Sequence, residues 1–210
     1  MSIINVIRKM CEAESGFVDL FDKEKSYDRL MGLADDKREA ELFVRMLYGK
    51  ARAGLIDLIG DAYEYEKYKK QIHAHLVEDG MSNEDARSAL EIFLRAFGFP
   101  GYRDVTGPVS EFVSYEKGDF RTVYNGETKN GREYGVGIRN NFFEGNSCGF
   151  DECVWIDGRM LGYCHSLDIE FGAYKTKKYG FVVNDNYVGK YMTIYEDGEK
   201  GYMKGKDIEL

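Results

Sequence analysis

The chain's only two prolines, Pro100 and Pro108, separate two kinds of sequence. Up to Pro100 there are 7 glycines and 5 tyrosines; from Gly101 onward there are 17 and 11. Glycine weakens a helix interior but supplies the positive φ that tight hairpin turns need. The split therefore predicts an α+β protein: a small helical bundle over residues 1–100, a linker over 101–108, and an antiparallel β-hairpin meander over 109–210.

The first hundred residues follow a helical period. Ile3, Ile4, Ile7, Met10 and Cys11 lie on one stripe, and Ala40, Phe43, Val44, Leu47 and Ala51 repeat that spacing. A break between Gly49 and Gly54 separates the second stripe from Leu55, Ile56, Leu58 and Ile59. From Asp61 to Asp79 a helix is expected to turn Tyr65, Tyr68, Ile72 and Leu76 inward, leaving Tyr63 exposed. The clearest helix runs from about Asn83 to Phe97, with Ser82 as N-cap, Asp85 in the capping-box position and Gly98 as the stop. Four or five short helices around one apolar centre follow from these patterns.

Beyond Pro108, runs of aromatic and β-branched residues alternate with turn pairs. Asn130-Gly131, Asp157-Gly158 and Asp197-Gly198 suit type I′ turns, and Glu144-Gly145 and Asp185-Asn186 add weaker ones. Their spacing predicts strands of about five residues. The stretch from Tyr124 to Ile138, YNGETKNGREYGVGI, is the best repeat unit. It resembles a MORN repeat: Tyr124 and Gly126 match the aromatic-x-Gly opening, Asn130 and Gly131 the turn, and Gly135 and Gly137 the Gly-x-Gly close. Thr128 stands where that family often has Trp, and Tyr134 where it often has His. Phe143-Glu144-Gly145, Phe171-Gly172 and Tyr187-Val188-Gly189 echo the opening alone. The resemblance covers about residues 110–205 and implies stacked hairpins with aromatic residues between units, and membrane or protein contacts as function. On this reading the helical bundle caps the first hairpin, and the polar end from Gly205 to Leu210 closes the other side.

Charge narrows the partners. The chain carries 29 basic and 37 acidic residues, a formal charge of −8. The deficit is shared, with 15 basic against 19 acidic residues up to Pro100 and 14 against 18 after it. Nucleic acid is therefore not an expected partner, and charge also disfavours contact with an anionic membrane. The N-terminal apolar patch precedes its charges, the reverse of a signal peptide, and four cysteines show no disulfide framework, so a cytoplasmic protein with reduced thiols is expected.

Candidate chemistry is sparse, and neither an enzyme nor a cofactor is expected. Cys148, Cys153, Cys164 and His165 contain zinc-ligand types, but the spacing is C-x4-C followed by an adjacent Cys-His pair whose side chains would point to opposite strand faces. His73 and His75 diverge on a helix. Asp151 and Glu152 near Trp155 are the one acid pair that a glycosidase reading would use. Gly135-x-Gly137 lacks the third glycine and following helix of a dinucleotide loop. Most aromatics after Pro108 are expected to pack between hairpins, with an exposed subset serving recognition; Tyr134 and Trp155 are the first candidates, followed by Tyr124, Tyr163 and Tyr174. The expected function is a non-enzymatic interaction or scaffold protein that binds another protein through the sheet or the groove beside the helices. The alternative is a module in which exposed sheet aromatics bind a lipid headgroup or glycan. A C-terminal edge strand leaves room for a homo-oligomer.

Overall fold

The structure is a computed structural model that describes residues 1–170, 173–207 and 210, with the side chains of residues 173 and 174 outside the description. Its first segment holds α1 (Ile3–Met10), α2 (Gly16–Leu20), α3 (Lys23–Leu33), α4 (Lys37–Tyr48), α5 (Arg52–Gly60), a 3-10 turn at Ala62–Glu64, α6 (Tyr65–Glu78) and α7 (Asn83–Ala96). Short polar side chains start several of these helices. Ser2, Asp22, Asp36 and Ser82 each accept a hydrogen bond from a first-turn amide, satisfying a group that has no partner inside the helix. The α2 and α3 segments go beyond the periodicity reading, because α3 buries only Ser26 and Leu30 and leaves too thin a stripe to stand out.

The second segment is one eight-stranded antiparallel sheet in sequence order: β1 (Val109–Lys117), β2 (Phe120–Lys129), β3 (Arg132–Phe143), β4 (Asn146–Ile156), β5 (Arg159–Glu170), β6 (Ala173–Val183), β7 (Asn186–Tyr195) and β8 (Lys200–Lys204). The strands are about twice the expected length, since two-residue turns leave nearly all of each interval to pairing. Asn130-Gly131, Glu144-Gly145 and Asp157-Gly158 have positive φ at both positions, as type I′ geometry demands. Two expectations shift. The β6–β7 turn is Asn184-Asp185, one residue earlier than expected, with Asn186 opening β7. Asp197-Gly198 sits in a wider loop where only Gly198 has positive φ, closed by hydrogen bonds between Tyr195 and Gly198 and between Tyr195 and Glu199. The Phe171-Gly172 echo lies outside the described residues.

The helices do not cap the end of the sheet; they lie across part of one face. Val154, Ile156, Leu161, Tyr163, Phe181, Val183 and Val188 are buried in the same apolar cluster as the helical residues. Aromatic rings form much of the join: Phe17 meets Phe97 and Phe181 at 5.4 Å, and Phe99 meets Tyr163 at 5.3 Å. Inward side chains on β4, β5 and β6 alternate apolar, and covering them removes that surface from water.

Two long-range joints set the helical layer on the sheet. At the end of α7, Phe99 N–H bonds to Leu94 O and Gly98 N–H to Arg95 O, the paired bonds of a Schellman motif, with Gly98 at φ +65°. The Phe97 carbonyl is thereby turned outward and accepts the Tyr163 amide of β5 at 2.8 Å. Gly162 makes this approach possible, since a Cβ there would run into the Phe97 carbonyl. At the other joint, Arg8 of α1 pairs with Glu127 of β2 at 3.3 Å, both nearly fully buried. Glu127 also accepts from the Thr106 amide and hydroxyl and from the Val136 amide, so the carboxylate is well solvated by protein. Burial lowers the Arg8 pKa, against the opposing pull of Glu127.

The face away from the helices has a small core of its own, built from Tyr124, Cys153, Trp155, Cys164 and Val182. Tyr124 packs against Gly126 and Gly137, where a Cβ on Gly137 would strike its ring and one on Gly126 its hydroxyl. Its hydroxyl donates to the carbonyls of Glu127 and Tyr134. The glycines of the best repeat unit thus make room for the aromatic residue that opens it.

Candidate functional site

The helices cover only part of the sheet's inner face. Pairing register puts Val113, Val123, Asn140, Phe150, Leu167, Lys177 and Ile194 opposite one another in a single row from β1 to β7. Side chains alternate faces along a strand, so this row shares the face of Val154 and Phe181. Unlike them, its apolar members belong to neither core cluster. Val113 is 40% exposed, and Val123, Phe150, Leu167 and Ile194 are half-buried. Ile138, in the next row toward the helices, is 37% exposed. Together the six apolar residues, on β1 to β5 and β7, make a strip interrupted by Asn140 and by Lys177 on β6 and joined to neither core cluster, where an antiparallel sheet facing water ordinarily carries polar side chains.

A polar group stands where this strip meets the helical layer. Ile138, Glu152, His165, Tyr179 and Met192 form the boundary row. Arg103, from the linker, donates through Nε to the Gly98 carbonyl at 2.9 Å and forms an ion pair with Glu152 through Nη1. His165 Nδ1 lies 3.6 Å from the other Glu152 oxygen, too long for a good hydrogen bond but close enough to favour the carboxylate. His165 and Arg103 together hold the Glu152 carboxyl down at about 2, against the opposing effect of burial. The His165 ring is stacked on Tyr179 at 4.6 Å and meets Phe150 edge-on at 5.2 Å. The cluster therefore holds Glu152 as a carboxylate between Arg103 and His165.

The sequence-derived candidates occupy other positions. Trp155 and Tyr124 are fully buried in the small outer core, with their rings 5.8 Å apart. Trp155 donates to the Gly137 carbonyl at 3.0 Å and lies under the Arg139 guanidinium at 4.1 Å. Tyr163 is 5% exposed and packs on the inner side against Phe99 and Tyr65. Tyr134 is half-buried beside α1, donating to Glu12 at 3.2 Å under Lys129. Burial raises the phenol pKa of Tyr124, Tyr134 and Tyr163. The side chain of Tyr174 lies outside the described residues. These aromatics thus divide between two faces, and only Tyr124 and Trp155 meet.

The other constellations also come apart. Asp151 faces outward beside Ser166, whereas Glu152 faces inward beside His165, so the two acids cannot flank one bond. Cys153 and Cys164 belong to the outer core and His165 to the inner row, so they do not converge either. No group of three or more potential metal ligands occurs among the described residues, and no described helix is long and apolar enough to cross a membrane. Sequence reasoning missed Val113, Ile138, Phe150, Leu167 and Ile194. The available signal was their period-2 spacing within strands too long for a hundred-residue bundle to cover.

Comparison with known proteins adds no relative: no family model, curated protein or solved structure matches the chain.

Proposed function

We propose that this chain is a non-enzymatic interaction protein of the cytoplasm, whose MORN-like sheet holds another protein against the open half of its inner face. One observation carries the reading: the row from Val113 to Ile194 continues the face that the helices bury, yet its apolar members Val113, Val123, Phe150, Leu167 and Ile194 join no core cluster. Exposed apolar strips of this kind mark protein contacts more often than single exposed residues do. The helical layer forms one wall of the resulting groove, and the fixed charges of Arg103 and Glu152 line its foot, giving a partner both an apolar floor and a polar edge.

The test uses the full chain as bait in an extract of its own cells, beside the variants Ile138→Asp and Leu167→Asp. The expected result is a partner retained in stoichiometric amount by the wild type and lost with both variants, while their thermal midpoints stay close to that of the wild type. Equal retention by all three proteins would refute the reading, and a dimer in sedimentation that both variants abolish would replace the partner with a second copy.

A further inference from the structure

The outer face carries a separate groove of about 550 Å³. It is lined by residues of β1 to β4 and of the β2–β3 and β4–β5 turns, among them Phe120 and Thr122 of β2, Asn141 of β3 and Asp151 of β4. Phe112, Tyr115 and Phe120 form an aromatic wall. Tyr115 is 51% exposed and its ring lies 5.9 Å from that of Phe120.

The polar groups of the floor are linked in a chain across the strands. Thr122 Oγ1 donates to Asn141 Oδ1 at 3.1 Å, Asn141 Nδ2 approaches Asp151 Oδ2 at 3.4 Å, and Ser166 Oγ donates to Asp151 Oδ1 at 2.6 Å. Each Asp151 oxygen therefore keeps acceptor capacity on the groove side. Ser114 also lines the groove, and its hydroxyl is buried with no hydrogen-bond partner among the described residues.

The two cations in the lining are committed to carboxylates. Arg139 is held bidentately by the buried Glu133 and stacked on Trp155. Arg132 bonds to Asp157 at 2.8 Å. With both pairs neutralised, Asp151 leaves the groove slightly negative, which opposes phosphates and carboxylates. What remains is a groove with an aromatic side and polar groups of Thr122, Asn141 and Asp151 beside it. Those properties fit a ligand with apolar ring faces and many hydroxyl groups.

We infer that the outer groove binds a neutral oligosaccharide, a sugar ring packed on the exposed Tyr115 beside Phe120 and its hydroxyls bonded to Asp151 and Asn141. This site lies on the opposite face from the proposed protein surface and stands independently of it.

Trp155 is the only tryptophan in the chain and lies beneath Arg139, which lines the groove, so its emission reports on the site through that contact. The full chain is titrated with cellohexaose, maltohexaose and chitohexaose, following Trp155 fluorescence and heat. The expected result is that at least one binds with a Kd of about 1 mM or tighter, that Tyr115→Ala and Asp151→Asn each weaken it about tenfold or more, and that Ile138→Asp on the inner face leaves it unchanged. Tyr115 is exposed and its replacement leaves both cores intact. The inference is overturned if none of the three sugars binds at about 10 mM, if the two groove variants bind as well as the wild type, or if inorganic phosphate displaces the sugar.

Discussion

Glu152 shows how one residue's setting becomes a pH dependence. An ordinary glutamate titrates near 4.3, whereas His165 and Arg103 hold this one at about 2. A carboxyl whose folded pKa is depressed stabilises the fold above its unfolded pKa, and that contribution is lost as pH falls toward the folded value. Glu152 therefore contributes fully above about pH 5 and loses its contribution between about pH 4 and pH 2. Because the pair is partly exposed, the gain is on the order of 1–2 kcal/mol. Urea midpoints of the wild type and Glu152→Gln should separate by that amount at pH 7 and draw together near pH 2; a constant gap would show that the carboxylate is not responsible. Neither Arg103 nor His165 is near Glu152 in helical or strand spacing along the chain, so the residue looks like any solvated acid until the linker and β5 are placed beside it.

Among the elements, the junction of α7 with β5 depends on Gly162. The Phe97 carbonyl sits where a side chain would begin, and Gly162 itself has φ +92°. Gly162→Ala must move the helix end away, breaking the bond from the Tyr163 amide and straining a left-handed residue, at a cost of about 2–4 kcal/mol. Chemical denaturation should report that loss, and amides around Tyr163 should exchange faster in the variant. Gly131→Ala is the useful comparison, since its Cβ would meet nothing within 4 Å and it carries the backbone penalty without the collision. A similar loss in both would place the cost in backbone conformation alone. The helix itself was legible: Ser82, Asp85 and Gly98 predicted α7 to within a residue. Gly126 and Gly137 stood out in the sequence as part of the best repeat unit, but nothing local marked Gly162, whose neighbour is a helix end.

For the molecule as a whole, the shared cluster through Phe17, Phe97, Phe99, Tyr163 and Phe181 ties the helices and the sheet into one packing unit. Calorimetry should therefore show a single transition rather than separate melting of the two segments. Arg8 and Glu127 reinforce the tie, and Glu127→Ala leaves a buried guanidinium unpaired, which should lower stability by about 3–5 kcal/mol without splitting the transition. Two resolved transitions in the wild type would contradict this account.

Helical periodicity and Asn-Gly chemistry act over a few residues, so the sequence alone determined the α+β class and most hairpin turns. Period-2 alternation likewise separated Cys164 from His165, which lie on opposite faces. Tertiary structure alone decided which part of that face the helices cover, because the answer rests on contacts such as Arg8 with Glu127, 119 positions apart. It also decided that Trp155 and Tyr124 fill a core while Val113, Ile138 and Leu167 remain open. An aromatic residue's apolar surface is the same in both settings; whether water reaches it is a property of what folds over it.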